Sequence, residues 1–485
     1  MMRRSVVFAV IVMTLIASVS SSTTATAQQA APVIPNPTGR DMFQLSDLDS
    51  YRQFSSTKNF EIVGHSYLRG PWLTPGAPGA GVNTLRICGN IAYLGGYNPT
   101  VYGTLIVDVS NPTRMEPLSF IPANPGTRNA YLRVDCDRKI LAVGHSAWSD
   151  SPYKPPDGQP ARSGVSFHDV SDPRRPVTLS QWNNPGGLTH GMEMDNRYVY
   201  VCGTSENSKP RNEELNIVDY STPTVPKLVA SYHVAGQRVG ETFSSMNRLN
   251  PNGTQQFVMC HEIIKDGGRL YLAYRDAGVI ILDIADPTKP AVVGEFDYTP
   301  PFNGDPGIPP GCCPGAHTAQ PVPHEGGALP RLLVLTDEHF SCPPGFVWIL
   351  DISNPKAIQV LSTIHIAGVD DTYDHAAGKF VCPPGQQSAH LPYFEPRSHG
   401  SLFYQAWYAQ GLRAFDISNP FSPREVGYFI SPDTSVPKQV GRHTREAYVD
   451  PKTNLIYVTD GNGGGVTVLR YTGPMPQRAP IPGAR

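Results

Sequence analysis

Six times along this chain an aspartate ending an apolar run is followed by a hydrophobic residue, a serine or alanine, any residue and a proline. The motif stands at Asp108–Pro112, Asp169–Pro173, Asp219–Pro223, Asp283–Pro287, Asp351–Pro355 and Asp416–Pro420. The aspartates are spaced by 61, 50, 64, 68 and 65 residues. A recurring unit of roughly 40–50 residues that holds several short strands is the period of a propeller blade, and the excess is loop. The aspartate itself has a local role. It ends a strand and accepts backbone N–H groups in the turn, while the proline stops the ladder.

The 485 residues are ample for one large closed fold. A formal charge of -2 points neither to nucleic acid nor to acidic lipid. With 45 glycines and 49 prolines interleaved with apolar runs, the chain reads as short strands joined by tight turns. Residues 1–27 have the layout of a signal peptide: Arg3 and Arg4, an apolar Val6–Val19, then Ala25-Thr26-Ala27. That run is too short to span a bilayer, which needs about 20 residues. The expectation is cleavage near Ala27, export to the periplasm or beyond, and a polar lead-in over 28–59. Eight cysteines in an exported chain imply disulfides. Cys88 and Cys136 occupy matching turns, Cys202 and Cys260 form another candidate pair, and Cys312, Cys313, Cys342 and Cys382 would staple two insertions.

Repeat starts fall near Val82, Asn129, Thr189, Cys260, Ala316, Ala389 and Arg442. The last repeat lacks a final strand, and Asn59–Tyr67 is a final strand with no motif before it. The expected fold is therefore all-β: a seven-bladed propeller over residues 60–473, with the N-terminal strand completing the C-terminal blade and 474–485 as a tail. At Leu105-Ile-Val-Asp108, Ile280-Ile-Leu-Asp283 and Trp348-Ile-Leu-Asp351 the chain resembles the LVIVD-repeat family of bacterial propellers. The resemblance implies the fold and transfers no catalytic residue. The chain is more faintly similar to selenium-binding-protein propellers, a group with clustered histidines that includes methanethiol oxidases; that likeness is an analogy.

His190, His261, His317, His390 and His443 each open a repeat, where Asn83 and Asn129 stand in the earlier ones. First strands line a propeller's central channel, so five imidazoles are expected near one mouth. Three or four of them within about 2.0–2.2 Å of one point would hold a transition metal such as Cu, Fe or Zn. The plainer reading is that they bond backbone groups or channel water. Glu193 and Glu262 are candidate acid/base groups and Arg445 a candidate anion binder. Asp337-Glu-His339 and His145 end second strands, one step farther out, and His324 and His399 are candidates to orient ligands. His65, His168, His233 and His365 fall on outer strands and are set aside.

The chain has no Gly-x-Ser-x-Gly elbow, Walker loop, dinucleotide fingerprint or Cys-x-x-Cys-His haem site. The leading expectation is an exported metal-dependent enzyme acting on a small molecule, with oxidation ahead of hydrolysis or lyase chemistry. The alternative is a non-catalytic propeller that grips protein or glycan through loops such as 149–164 and 300–315.

Overall fold

The computed structural model describes residues 45 and 47–477, apart from 98, 150, 185–186, 210–211, 243–257, 298–314, 324–329, 341, 343, 367, 370–372, 384–385 and 433–441. The signal, most of the lead-in, Cys312, Cys313, His324 and most of the second insertion lie outside those residues. Among the described residues the fold is all-β apart from one short α-helix, Leu48–Phe54, and a single 3-10 turn, Pro396–Ser398.

The strands form antiparallel sets that run up and down in chain order. Their first strands are Val82–Cys88, Thr127–Asp135, Thr189–Met194, Val258–Asp266, Ala316–Pro321, Pro392–Phe394 and Thr444–Val449. The fourth and fifth sets share one sheet, joined where Arg275 pairs with Ala316. The last set has three strands of its own. Its fourth is N-terminal: Phe60–Ser66 pairs antiparallel with Gly465–Tyr471. The helix, capped where Asp47 accepts from the Ser50 N–H at 2.7 Å, lies over that sheet. There Tyr51 stacks on His65 at 3.8 Å and shares a hydrogen bond with Thr467.

Every motif aspartate has the structural role expected of it. Asp108, Asp169, Asp219, Asp283, Asp351 and Asp416 each accept, at 2.8 Å, the N–H two residues on. In five of the motifs the Asn or Asp before proline repeats the device, as where Asn111 accepts from the Thr113 N–H at 3.0 Å. These turns eject the chain to an outer strand. The third strands just before them, such as Val279–Asp283, are buried up to the aspartate, because both faces of the sheet are covered.

The apolar core is a series of seams, each between two neighbouring sets. Leu132, Leu141 and Val143 meet Tyr93 and Ile106; Val334, Ile349 and Ile364 meet Phe403 and Phe415. One seam joins the last set to the first, packing Tyr457, Val466 and Val468 against Leu85, Leu94 and Leu105. Polar staples run along the rim beside them. The Ser119 and Ser362 hydroxyls donate, each at 2.6 Å, to the carbonyls of Pro173 and Pro420, the prolines of the next motif. At Gly64 and Gly294 the same carbonyl comes so close that a Cβ would meet it at 1.8 and 2.3 Å. The Gly64 contact is with Pro112 of the first motif.

Among the described residues three disulfides are formed: Cys88–Cys136, Cys202–Cys260 and Cys342–Cys382. The first two cross between neighbouring sets, Cys88–Cys136 as the matching turns of its cysteines suggest. Cys342 and Cys382 pair with each other, and both lie in loops.

Removing the N-terminal strand should open the edge of Gly465–Tyr471. A chain beginning at Tyr67 is expected to unfold at lower temperature than one beginning at Gln28 and to associate with rising concentration. Thermal scans and size-exclusion chromatography over a concentration series would check this; coincident behaviour of the two chains would contradict it.

Candidate functional site

The first strands do not run straight through the channel. Each of the first five sets has a register shift near its start, between Val82 and Thr84, Arg128 and Tyr131, Thr189 and Met192, Val258 and Glu262, and Ala316 and Thr318. A bulge of this kind turns one side chain out of the ladder. Matching the pairing from set to set brings Asn83, Ala130, His190, His261, His317, His390 and Arg445 to one level. The expected alignment therefore slips in the last set, whose shift lies between Thr444 and Glu446. Arg445 takes the ring position, and His443 stands two residues back. Its ring fills the space that Gly461 leaves, where a Cβ would lie 2.5 Å from Nδ1, and stacks on Tyr408 at 4.3 Å. In the second set Ala130 takes the place expected for Asn129.

A second ring comes from the far ends of the second strands. Ile91, Ile140, Arg269, Leu332 and Leu402 pair with motif aspartates of their own sets. Six residues on from each stand Tyr97, Ser146, Arg275, Glu338 and Tyr408. Arg275 and Tyr408 begin the tight turns that close at Gly278 and Gly411, and hold φ at 46° and 26°. Left-handed backbone at non-glycine residues is costly and gathers at functional sites. Here it accompanies two side chains that reach the same carboxylate. Arg275 Nη2 donates to Glu338 Oε2 at 2.7 Å, and the Tyr408 hydroxyl donates to Oε1.

Four ring histidines follow one another edge to edge. Centroid separations are 4.9 Å from His190 to His261, 4.5 Å on to His317 and 4.1 Å on to His390. Tyr408 then separates His390 from His443. One donor atom each from His261, His317 and Glu338 lie within 4.8 Å of one another. The Nε2 atoms of His317 and His390 stand 3.7 and 3.9 Å from the Glu338 oxygens, too far for hydrogen bonds, and both are buried without a partner. His390 Nδ1 lies 2.6 Å from the Arg445 carbonyl. A carbonyl only accepts, so Nδ1 carries the proton and Nε2 of the neutral ring presents its lone pair to the carboxylate.

Burial, then the charge of Arg275, holds His261 and His317 well below the usual imidazole range. His390 is lowered by burial, then by His317 and Arg445. Burial opposes ionisation of Glu338, but Arg275, then His390, Arg445 and the Tyr408 hydroxyl, outweigh it and hold the carboxyl below the usual carboxylate range. Three neutral imidazoles thus surround a carboxylate at the floor of a 440 Å³ cavity, whose lining includes His190, His261, His317 and Glu338. Unpartnered ring nitrogens and negative charge converge there, and at His390 the nitrogen facing the carboxylate carries no proton, an arrangement that a cation relieves. His190 is tied off differently, its Nδ1 2.6 Å from Glu213 Oε1.

Of the other sequence candidates, Arg445 reaches the cavity. Glu193 lies farther along its strand, in an ion pair with Arg133 at 3.0 Å. Glu262 is buried near Tyr131, whose ring lines the cavity. Gly191 leaves room for Glu262, since a Cβ there would lie 2.8 Å from Glu262 Oε2. Burial raises the Glu262 carboxyl to about 8 against the pull of Arg133. Glu338, Arg275, Tyr408 and Glu213 were not among the sequence candidates for ligand or acid/base roles, although Asp337-Glu-His339 had been placed at a strand end near the mouth.

The LVIVD-repeat family matches residues 83–118, 210–234 and 263–298, which fall in the first, third and fourth sets. The chain carries LVIVD repeats. Such repeats are known to form β-propellers. No curated protein matches the chain. The computationally designed Ika8 protein has a TM-score of 0.43 at 10% identity, over 80% of this chain and 96% of that one. Sqt1 of Chaetomium thermophilum, solved bound to the N-terminus of the ribosomal protein L10, has 0.48 at 12%, over 80% and 84%. A chain of the Mitotic Checkpoint Complex has 0.48 at 11%, over 84% and 92%. No described helix of the LVIVD propeller is long and apolar enough to cross a membrane.

Glu262 supplies a pH test of this environment. Its carboxyl stays protonated in the fold up to about 8, whereas the unfolded chain releases that proton in the ordinary carboxyl range. The native state therefore binds more protons in between, and this contribution to stability is lost as pH rises. Glu262→Gln, which keeps the neutral form, should gain in thermal midpoint relative to wild type as pH goes from 5 to about 8. A constant difference across that range would contradict the assignment.

Proposed function

We propose that this chain is an exported seven-bladed LVIVD propeller, closed by its N-terminal strand, that works as a metal-dependent enzyme on a small molecule. His261, His317 and His390, with Glu338, would hold one transition metal ion at the floor of the axial cavity. The observation that carries the reading is the pair of buried, unpartnered Nε2 atoms on His317 and His390, which face a carboxylate from beyond hydrogen-bond range. Around an ion with bonds of about 2.0–2.2 Å, donor atoms stand a little over 3 Å apart, so separations of 3.7 and 3.9 Å need only a small contraction. Three imidazoles and a carboxylate suit Fe, Cu or Zn. When bound, such an ion would polarise a substrate or activate water or oxygen.

The rest of the site would serve that centre. Arg275 and Tyr408 orient Glu338, the Arg445 carbonyl fixes the His390 tautomer, and Glu213 holds the neighbouring His190. Glu262, protonated up to about 8, would be a proton source reached through Tyr131. Glu193 has no such route, since its carboxylate is engaged by Arg133. The disulfides support an oxidising compartment, in keeping with the signal-like N-terminus. Oxidation is the first reaction class to assay, then hydrolysis.

Elemental analysis of protein beginning at Gln28, purified without chelator or affinity tag, should find about one equivalent of Cu, Fe or Zn. A His317→Ala/His390→Ala double variant should lose it while melting cooperatively. Metal-free wild type that still takes up no ion on reloading would sink the reading.

A further inference from the structure

The metal reading concerns one side of the cavity, built from the fourth to sixth sets. The opposite side, from the last set and the first two, has a different chemistry. Arg445 is buried, 6% exposed, and no carboxylate lies in ion-pair range of it among the described residues. Its hydrogen bonds go to neutral groups: Nε donates to Asn83 Oδ1 at 2.8 Å and Nη1 to the Tyr408 hydroxyl at 3.2 Å. Among the described residues the second amine, Nη2, has no hydrogen bond of its own. The Arg445 guanidinium lies over the Tyr97 ring, 4.3 Å from its centroid. The Arg128 guanidinium lies 5.8 Å from the same ring and 3.8 Å from Trp148. Two cations thus flank one aromatic ring, and both line the cavity.

Like charges held together out of water raise each other's free energy unless an anion joins them. Burial pulls the Arg128 pKa down, and Arg445 adds to the pull. Over the whole cavity three arginines (Arg128, Arg275 and Arg445) face two carboxylates (Glu213 and Glu338). Between the cationic side and the histidines the wall is largely apolar: Tyr131, Leu188, Met259 and Phe340.

We propose that Arg445 and Arg128 form an anion subsite. The substrate would be a small organic anion whose charged end rests on these guanidiniums and whose apolar body spans the cavity towards His261 and His317. The inference deepens the metal reading and rests on it only for the reacting end of the substrate. Recognition of the anion needs the arginines alone, because a guanidinium donates two parallel hydrogen bonds to a carboxylate.

The test is calorimetric titration of metal-free and metal-reloaded protein with benzoate and with its neutral counterpart benzamide. Benzoate should bind both forms saturably, and benzamide should bind at least about tenfold more weakly. Arg445→Met should weaken benzoate about tenfold to a hundredfold, and Arg445→Lys less. No saturable benzoate binding, equal affinity for benzamide, or unchanged affinity in Arg445→Met would each overturn the subsite. The benzoate–benzamide comparison on wild type needs no variant, so a misfolded substitution does not blunt the test. Metal analysis of the same samples separates the two ideas. Benzoate binding without metal uptake leaves the subsite standing and removes the metal, and metal uptake without benzoate binding does the reverse.

Discussion

Contact between neighbouring sheets across the apolar seams is the interaction on which the rest of this molecule depends. No sheet buries its own faces; each needs one neighbour on either side. At about 25 cal/mol per Å² of apolar surface removed from water, seams of this kind outweigh any polar contact in the fold. The seam that packs Tyr457, Val466 and Val468 against Leu85, Leu94 and Leu105 gives the last set the same two-sided support as the others. The motif turns serve the seams. Their aspartates satisfy backbone N–H groups at the strand end and direct the chain outward, so that the next set starts again at the axis.

With the seams fixed, the axis is positioned indirectly. First strands meet there, and in every set but the sixth a bulge near the start turns the chain's side chains inward. Second strands end beside them, and the tight turns after Arg275 and Tyr408 carry those side chains over the same point. The histidines and Glu338 therefore come from different layers of three successive sets. Burial and the two nearby arginines make the imidazoles neutral and the carboxylate charged. Those are the protonation states in which each group is a ligand.

Much of the fold was legible in the sequence, because motif aspartates, apolar third strands and matched cysteines are local signals that recur. The ring of His190, His261, His317 and His390 was legible for the same reason. His443 was not correctly registered. The bulge of the last set falls two residues later, and a bulge is set by pairing with Thr459 and Asp460, which spacing along one strand does not reveal. Glu338 escaped for a related reason. Its equivalents are Tyr97, Ser146, Arg275 and Tyr408, none of them acidic. The loops from them to the next motif also differ in length, so neither identity nor spacing marks the position. Counting six residues from the partner of each motif aspartate would have found it, but that partner is known only from the pairing.

Asn, Ala, His and Arg all occupy the ring position within this one chain, at Asn83, Ala130, His190 and Arg445. Of these side chains only the small Ala130 joins a seam, so folding places little demand on what the others are. A lineage built on this plan could exchange its axial chemistry one codon at a time while the walls stay as they are. The hydrophobic residues of the seams have no such freedom, since each is answerable to a neighbour in another repeat. Divergence among such chains should therefore be fastest at the axis, where their biological differences would be written.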